Sequence, residues 1–173
     1  MSPPSQLLAS SMQSPVGELV VVSNEKTLRA VLWGDEAKEW KRVSINRLVV
    51  EWKSSPAAEQ AIGQLTEYFD GKRQHFDLPL EPVGTEFQCS VWNSLTHIEY
   101  GSTLSYSEQA LALGRPSAVR AVASANGRNP ISIVVPCHRV ISASGGLGGF
   151  AGGLDAKRWL LDRLRREGYQ LAH

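Results

Sequence analysis

The chain has 173 residues, 42% of them apolar and 20% charged, with a formal net charge of +1. This composition is typical of a folded globular protein with one large domain or two small ones. No apolar run approaches the roughly 18–20 residues of a membrane helix, and the N-terminus does not resemble a signal peptide. Two cysteines do not make a disulfide framework, so we expect a cytoplasmic protein without membrane association.

Residues 1–84 are expected to form a small α+β domain that ends in a linker. Three short β-like runs lie between residues 7 and 34, separated by turn sequences, which favours an antiparallel sheet. Residues 35–55 are charged and irregular, whereas Pro56–Phe69 has the apolar spacing of an amphipathic helix. Two prolines and a glycine in 75–84 indicate a linker, so the domain boundary is placed near residue 85.

Residues 85–173 are expected to form a second, mostly helical domain. Thr85 and Ser105, each followed three residues later by Gln or Glu, form capping boxes that begin two helices. Gly114-Arg115-Pro116 ends the second of these, and a third helix is predicted over 117–126. Two helices joined by so short a turn indicate a helix-turn-helix, although many helical hairpins of this shape bind nothing.

The third predicted helix has a face of small residues. Ser117, Ala121 and Ser124 share one side of it with Arg120, its one long side chain. Residues 109–154 contain four arginines and no acidic residue, which creates a local positive field that attracts a phosphate backbone. Contact with nucleic acid and tight packing between helices both explain this face.

A thiol and an imidazole follow a short apolar run. ISIVV (131–135) predicts a buried strand, and Pro136 ends it. Cys137 and His138 come next, and their side chains meet only if the backbone turns at this point. A thiol must ionise to attack, and a nearby imidazole can accept its proton. The alternative is an inert core thiol beside a surface histidine.

A glycine-rich segment follows the cysteine. Residues 142–154 hold six glycines and a lone aromatic residue, Phe150. Such backbone permits the close approach of a flat ligand, which favours a pocket wall over a plain surface loop. A last helix is predicted over 155–167. The cysteines and histidines show no CxxC or HExxH spacing, so no metal or other cofactor is expected.

The segment PCHRV (136–140), with NPISIVV before it and the glycine-rich segment after it, resembles the active-site region of the O6-alkylguanine-DNA alkyltransferases. The resemblance is dense over residues 84–161, through GTEFQCSVW, LSYSEQALALGRPSAVRAVASANGRNP and GGLDAKRWLL, and looser over the N-terminal strands. It implies an α+β fold whose C-terminal domain is winged helix-turn-helix-like and carries the active site. It also implies single-use DNA repair, in which the alkyl group of O6-alkylguanine, or of O4-alkylthymine, moves onto Cys137.

The resemblance implies catalytic roles by matching position. Cys137 is expected to accept the alkyl group after His138 deprotonates it through a water. Asn129 is expected to brace the strand and turn, and Tyr106 to donate a proton or hydrogen bond to the departing base. Backbone donors and Phe150 would form the pocket. The full set of expected pocket residues is Tyr106, Val135, Pro136, Gly149, Phe150, Ala151, Gly152 and Lys157.

The implied partner is double-stranded DNA that contains O6-alkylguanine. Arg120 is expected to fill the gap left by a flipped nucleotide while its helix lies in the minor groove. The other expected DNA contacts are Ser117, Ala121, Ser124 and Arg128. A monomer in solution is expected, with cooperative assembly on DNA left open.

Three positions depart from the family pattern. Phe150 replaces a common tyrosine and Ala151 a common serine, which leaves recognition of O6 to backbone N–H groups. The glutamate that orients the histidine matches Leu164. Its role is therefore assigned to Glu167, three residues and nearly one helical turn later.

Two other functions stay open on the sequence. A helix-turn-helix protein could bind alkylated DNA without chemistry and recruit other factors, but relatives of that type lack the reactive cysteine. A cysteine hydrolase would instead turn over repeatedly on esters or amides.

Overall fold

A computed structural model of the chain describes residues 5–168. The chain divides into two compact units. The first comprises the residues up to Val83 together with Pro130–Val134, and the second comprises Gly84–Asn129 and the residues from Val135 onward. The chain therefore leaves the first unit, returns to it for a short segment and leaves it again. The boundary near residue 85 between independently folding domains stays a prediction.

The first unit is built on a four-stranded sheet. Its strands are β1 (Leu8–Ser14), β2 (Gly17–Ser23), β3 (Leu28–Leu32) and β4 (Glu51–Trp52), in the order β3-β2-β1-β4. β2 pairs antiparallel with both β1 and β3, whereas β4 pairs parallel with β1. The antiparallel sheet predicted between residues 7 and 34 is confirmed.

Side chains on both faces of this sheet are buried. Val20 and Val22 belong to an apolar cluster with Trp40 of helix α1 (Ala37–Arg42). Leu19 and Val21 alternate with them along β2 and are also fully buried. Helix α2 (Pro56–Phe69) packs against β1, β2 and β3 and has the bounds expected from its apolar spacing. The Ser55 side chain caps α2 by accepting a hydrogen bond from the Ala58 N–H.

The second unit is mostly helical. Its helices are α3 (Glu86–Leu95), α4 (Tyr106–Ala112), α5 (Val119–Gly127) and α6 (Leu154–Arg166). The capping boxes at Thr85 and Ser105 are both complete, as predicted. α5 packs against α3 and α4, and a short parallel ladder joins β5 (Leu104–Ser105) to β6 (Val140–Ile141). None of the helices described within residues 5–168 is long and apolar enough to cross a membrane.

The strand predicted over 131–135 is wrong as regular structure, although the segment is buried as expected. Ile131 makes an isolated parallel bridge to Val31. Ile133 has a left-handed φ of 73°, which interrupts any extended run because a β-branched residue rarely adopts it. The Trp33 indole N–H donates to the Ser132 hydroxyl at 3.0 Å. Isolated contacts with residues distant in sequence therefore hold this segment, rather than a continuous ladder.

Candidate active site

Cys137 lies on a tight turn. Cys137–Arg139 form a single 3-10 turn directly after Pro136, and the Cys137 N–H donates to the carbonyl of Val135 at 2.9 Å. Adjacent side chains diverge in an extended chain, so the thiol and the imidazole can approach each other only where the backbone turns. The backbone turns at this position. Cys137 keeps 8% of its surface exposed.

His138 is fully enclosed. It has no exposed surface, and within residues 5–168 neither ring nitrogen has a hydrogen-bond partner. Burial, followed by the positive charges of Arg139 and Lys157, holds the pKa of His138 well below its ordinary 6.5. The imidazole is therefore neutral at pH 7, and one of its nitrogens can accept a proton.

Lys157 places a buried ammonium within electrostatic range of the thiol. The residue is 0% exposed, and its Nζ lies 5.8 Å from the centre of the Tyr106 ring and 5.9 Å from that of Phe150. Burial lowers the pKa of Lys157 to about 8, and the charge of Cys137 acts in the opposite direction. Lys157 and Cys137 are therefore electrostatically coupled.

Tyr106 is the first residue of α4, directly after the Ser105 cap. Burial, and then the charge of Cys137, raise the pKa of Tyr106 above its ordinary value of 10. Its hydroxyl therefore stays protonated and can donate. The glycine-rich segment approaches it closely, because a Cβ added at Gly148 would lie 2.6 Å from the Tyr106 hydroxyl oxygen. Gly148 also has a φ of +75°, which favours glycine.

Asn129 supports the chain just before the cysteine. Its side-chain amide donates to the carbonyl of Val135 at 2.8 Å, and the residue is 1% exposed. This bond ties the end of the turn after α5 to the residue two positions before Cys137. The placement agrees with a bracing role.

Glu167 makes no hydrogen bond to either ring nitrogen of His138 among the described residues. Its carboxylate accepts hydrogen bonds from the Tyr100 hydroxyl and, at 3.1 Å, from the Arg163 guanidinium. Leu164, at the position that matches the family's glutamate, is fully buried among Ile141 and Leu161. Three extra residues rotate a side chain by about 300° and move it about 4.5 Å along a helix. Glu167 consequently falls at the C-cap of α6 rather than within it.

The residues expected to face DNA are all exposed. They are Ser117, Arg120, Ala121, Ser124 and Arg128. On the other side of α5, Val122 and Ala125 are buried. α5 therefore packs through one side and exposes its small residues on the other.

Two buried polar contacts that hold α5 were not expected from the sequence. Gln109 of α4 and Asn126 of α5 exchange amide hydrogen bonds of 2.7 and 3.2 Å. The Trp92 indole of α3 donates to the carbonyl of Ala125 at 2.8 Å. Amide side chains in otherwise apolar helical stripes are the signal that could have indicated this pair. These bonds fix the exposed face of α5 relative to α3 and α4.

The expected pocket residues differ in exposure. Val135, Pro136 and Lys157 are buried, Phe150, Ala151 and Gly152 are half-buried, and Gly149 is exposed. The contacts described above bring Phe150 and Tyr106 together around Lys157. That the remaining residues line the same pocket stays a prediction. In the part of the chain that the structure describes, no group of three or more His, Cys, Asp or Glu residues is placed to hold a metal ion.

Comparison with known proteins places both parts of the chain in one family. Residues 7–82 match the family model of the 6-O-methylguanine DNA methyltransferase, ribonuclease-like domain, and residues 86–166 match that of the 6-O-methylguanine DNA methyltransferase, DNA binding domain. A methylated-DNA–protein-cysteine methyltransferase of Methanosarcina barkeri is 47% identical over 150 residues, 87% of this chain and 92% of the relative. The chain belongs to this family.

Other members support the assignment. The constitutive methylated-DNA–protein-cysteine methyltransferase of Bacillus subtilis is 41% identical and covers 91% of this chain and 94% of its own. The crystal structure of Mycobacterium tuberculosis OGT in complex with DNA has a TM-score of 0.82 and 39% identity, over 92% of this chain and 93% of that one. The methyltransferase family indicated by PCHRV and the mixed α+β fold are both confirmed.

Proposed function

We propose that this DNA-repair methyltransferase moves the alkyl group of O6-alkylguanine from duplex DNA onto the sulfur of Cys137, once per molecule. The observation that carries the proposal is the setting of Cys137 on its turn, where a buried ammonium and a tyrosine hydroxyl both interact with its charge. A nearby positive charge stabilises the thiolate and so activates a cysteine. A structural cysteine in an apolar core does not need a positive charge or a hydroxyl group near its sulfur.

The proposed reaction is a single displacement at the alkyl carbon. The Cys137 thiol gives its proton to neutral His138 through a water. The thiolate sulfur then attacks the alkyl carbon, so that a carbon–sulfur bond forms while the carbon–O6 bond breaks. The electron pair leaves with the guanine, and the protonated hydroxyl of Tyr106 donates to the base as its negative charge develops. The product is a stable thioether, so the protein is consumed by one reaction.

The lining of the site fits a flat aromatic base. Phe150 offers a ring face for stacking, and Gly148 shows how closely backbone approaches Tyr106. Because Phe150 and Ala151 have no side-chain donor, backbone N–H groups of the glycine-rich segment would recognise O6. In O4-alkylthymine the alkyl carbon is also bonded to an exocyclic oxygen, so the same attack can remove it. We therefore include O4-alkylthymine as a second substrate.

We infer that DNA binds along the exposed face of α5. Its small side chains let the helix approach the minor groove, and Arg120 is the long side chain able to occupy the gap left by a flipped nucleotide. Extrusion is required because an alkyl group inside the duplex lies out of reach of a buried thiol. The protein would act as a monomer inside the cell, where the thiol stays reduced.

The proposal is tested by mass measurement. The protein is incubated with a duplex that contains one O6-methylguanine, and a mass gain of one methyl group per chain is expected, mapped to the peptide with Cys137. The Cys137→Ser variant is expected to bind the duplex and leave it unrepaired, whereas Cys89→Ser retains the reaction. An unmodified Cys137 beside unrepaired DNA would falsify the proposal, and repeated turnover would contradict the single-use step.

A second variant separates catalysis from binding. Replacing His138 by Phe removes the proton acceptor and keeps an aromatic side chain in the enclosed space. Slower methyl transfer with nearly unchanged affinity for DNA is expected. Loss of DNA affinity would instead show that His138 is structural.

A further inference from the structure

Tyr100 links the displaced carboxylate to the turn that carries the cysteine. Its hydroxyl donates to Glu167, whose carboxylate also pairs with Arg163 at 3.1 Å. Its ring packs against the apolar cluster of Ile141, Leu161 and Leu164. Tyr100 is thus held both at its hydroxyl and by apolar packing.

The same ring contacts Arg139, the last residue of the Cys137–Arg139 turn. The Arg139 guanidinium carbon lies 5.5 Å from the centre of the Tyr100 ring, and its Nη1 donates to the carbonyl of Ile98 at 2.8 Å. Arg139 is 5% exposed. A buried guanidinium stacked on an aromatic face and bonded at one nitrogen has a fixed position.

We propose that Tyr100 is a positioning residue for alkyl transfer, which ties the Glu167 carboxylate to Arg139 and so fixes the turn that presents Cys137 and His138. The inference rests on the proposed function. In this chain the carboxylate acts on the histidine through the Tyr100 ring and the Arg139 backbone. Direct pairing with the imidazole is replaced, because Leu164 occupies the matching position.

The position of Arg139 also bears on the charge state of His138. The charged groups that act on the imidazole are Arg139, from the same turn, and Lys157, from α6. Both are positive and both oppose its protonation. Releasing Arg139 from the Tyr100 ring would therefore let His138 take up a proton at a higher pH and lose its capacity to act as a base.

A double-mutant cycle tests the link. The rate of benzyl transfer from free O6-benzylguanine to Cys137 is followed by intact mass between pH 5 and 8 for Tyr100→Phe, Glu167→Ala and the pair combined. Because both single changes break the same bond, they are expected to slow transfer by similar factors, and the combination by no more than either alone. Tyr68→Phe, which removes a buried tyrosine hydroxyl from the first unit, is the matched control and should react at the wild-type rate.

Removing the ring gives a larger expected effect. Tyr100→Leu should slow transfer about tenfold, because it leaves Arg139 without its aromatic partner and loosens the reactive turn. The acid limb of its pH profile should move to higher pH, a change that a purely structural role for Tyr100 would not produce. The Tyr100→Phe cycle retains the test if the leucine variant fails to fold.

The results that would contradict the role of Tyr100 differ from the result that would contradict the proposed function. Additive losses in the double variant, or an acid limb that moves in Glu167→Ala alone, would show that Glu167 acts directly on His138. A wild-type rate and pH profile for Tyr100→Leu would exclude a positioning role for Tyr100. Absence of benzyl transfer in the wild-type protein would instead overturn the proposed function itself.

Discussion

Lys157 donates a hydrogen bond of 2.7 Å to the carbonyl oxygen of Val140, three residues beyond Cys137. This bond, together with the rings of Tyr106 and Phe150, holds an enclosed ammonium whose pKa is lowered to about 8. The group is therefore mostly charged at pH 7 and loses its charge as the pH rises above 8. Its charge is present over the range in which a free thiol, with a pKa of about 8.5, would be mostly protonated.

Replacing Lys157 by Met should make Cys137 less reactive. Methionine keeps much of the volume and removes the charge, so the thiolate loses its stabilising neighbour and we expect alkylation by iodoacetamide to slow about tenfold at pH 7. The measurement is a time course of peptide masses. Cys89, which is half-buried in α3, serves as the reference thiol in the same sample. An unchanged ratio of the two cysteine rates would exclude this role for Lys157.

The buried His138 should make the protein less stable in acid. Its folded-state pKa lies well below 6.5, so below pH 6.5 the unfolded chain binds a proton that the folded chain does not. The free energy of unfolding should therefore fall as the pH drops below about 6.5, by up to about 1.4 kcal/mol per pH unit. His138→Phe lacks this contribution.

Urea unfolding of the two proteins at pH 7.5, 6 and 5 measures the effect. The stability of the wild type relative to His138→Phe should decline across the series. The remaining histidines are common to both proteins and cancel in the difference. Parallel curves would mean that His138 titrates normally in the folded protein.

Arg120→Ala should separate reaction on DNA from reaction on the free base. Arg120 is exposed on α5 and is proposed to hold the extruded state, so its loss should slow repair of an O6-methylguanine duplex by about tenfold or more. Reaction with free O6-benzylguanine, which needs no extrusion, should change little. Arg158→Ala, which removes an exposed arginine from α6, is the matched control. Equal losses on both substrates would contradict the proposed role.

Asn129→Ala should destabilise the fold by removing one of the two hydrogen bonds to the Val135 carbonyl, which then keeps only the bond from the Cys137 N–H. The lost hydrogen bond is buried and measures 2.8 Å, and the carbonyl keeps a second donor, so the free energy of unfolding should fall by about 0.5–1.5 kcal/mol. Chemical denaturation measures the loss. Asn93→Ala, at an exposed position of α3, should change stability by less than about 0.5 kcal/mol. A similar small change at Asn129 would show that the bond does not brace the segment.

Local sequence signals were enough for much of the fold. The two capping boxes and the bounds of α2 follow from patterns within four residues, which tertiary contacts do not override. α1 was missed because its six residues give little periodicity. The helix is fixed instead by tertiary packing, since the Trp40 ring joins the core of the sheet. A local bond adds to this, because the Trp40 indole donates to Asp35 at 2.7 Å.

The site was predictable where it depends on adjacent residues and less so where it depends on helix phase. PCHRV predicted a reactive cysteine, which stays a prediction. Pro136 predicted the end of regular pairing, and the structure shows a turn over Cys137–Arg139 there. The partner of Glu167 was not foreseeable, because three additional residues in α6 leave the direction of a side chain at the helix end undetermined. Ile133 shows a similar limit, since nothing in a β-branched apolar run signals a left-handed residue.

Pro130–Val134 belong to the first unit although they lie deep in the sequence of the second. A fragment that starts at residue 85 would retain Ile131 and Ile133, both fully buried in the whole chain, but would lack Val31, which pairs with Ile131. Residues 85–168 alone therefore lack a residue that contacts Ile131 in the whole chain. If this fragment were fused to another protein, the apolar residues Ile131 and Ile133 would be left exposed to water shortly before Cys137.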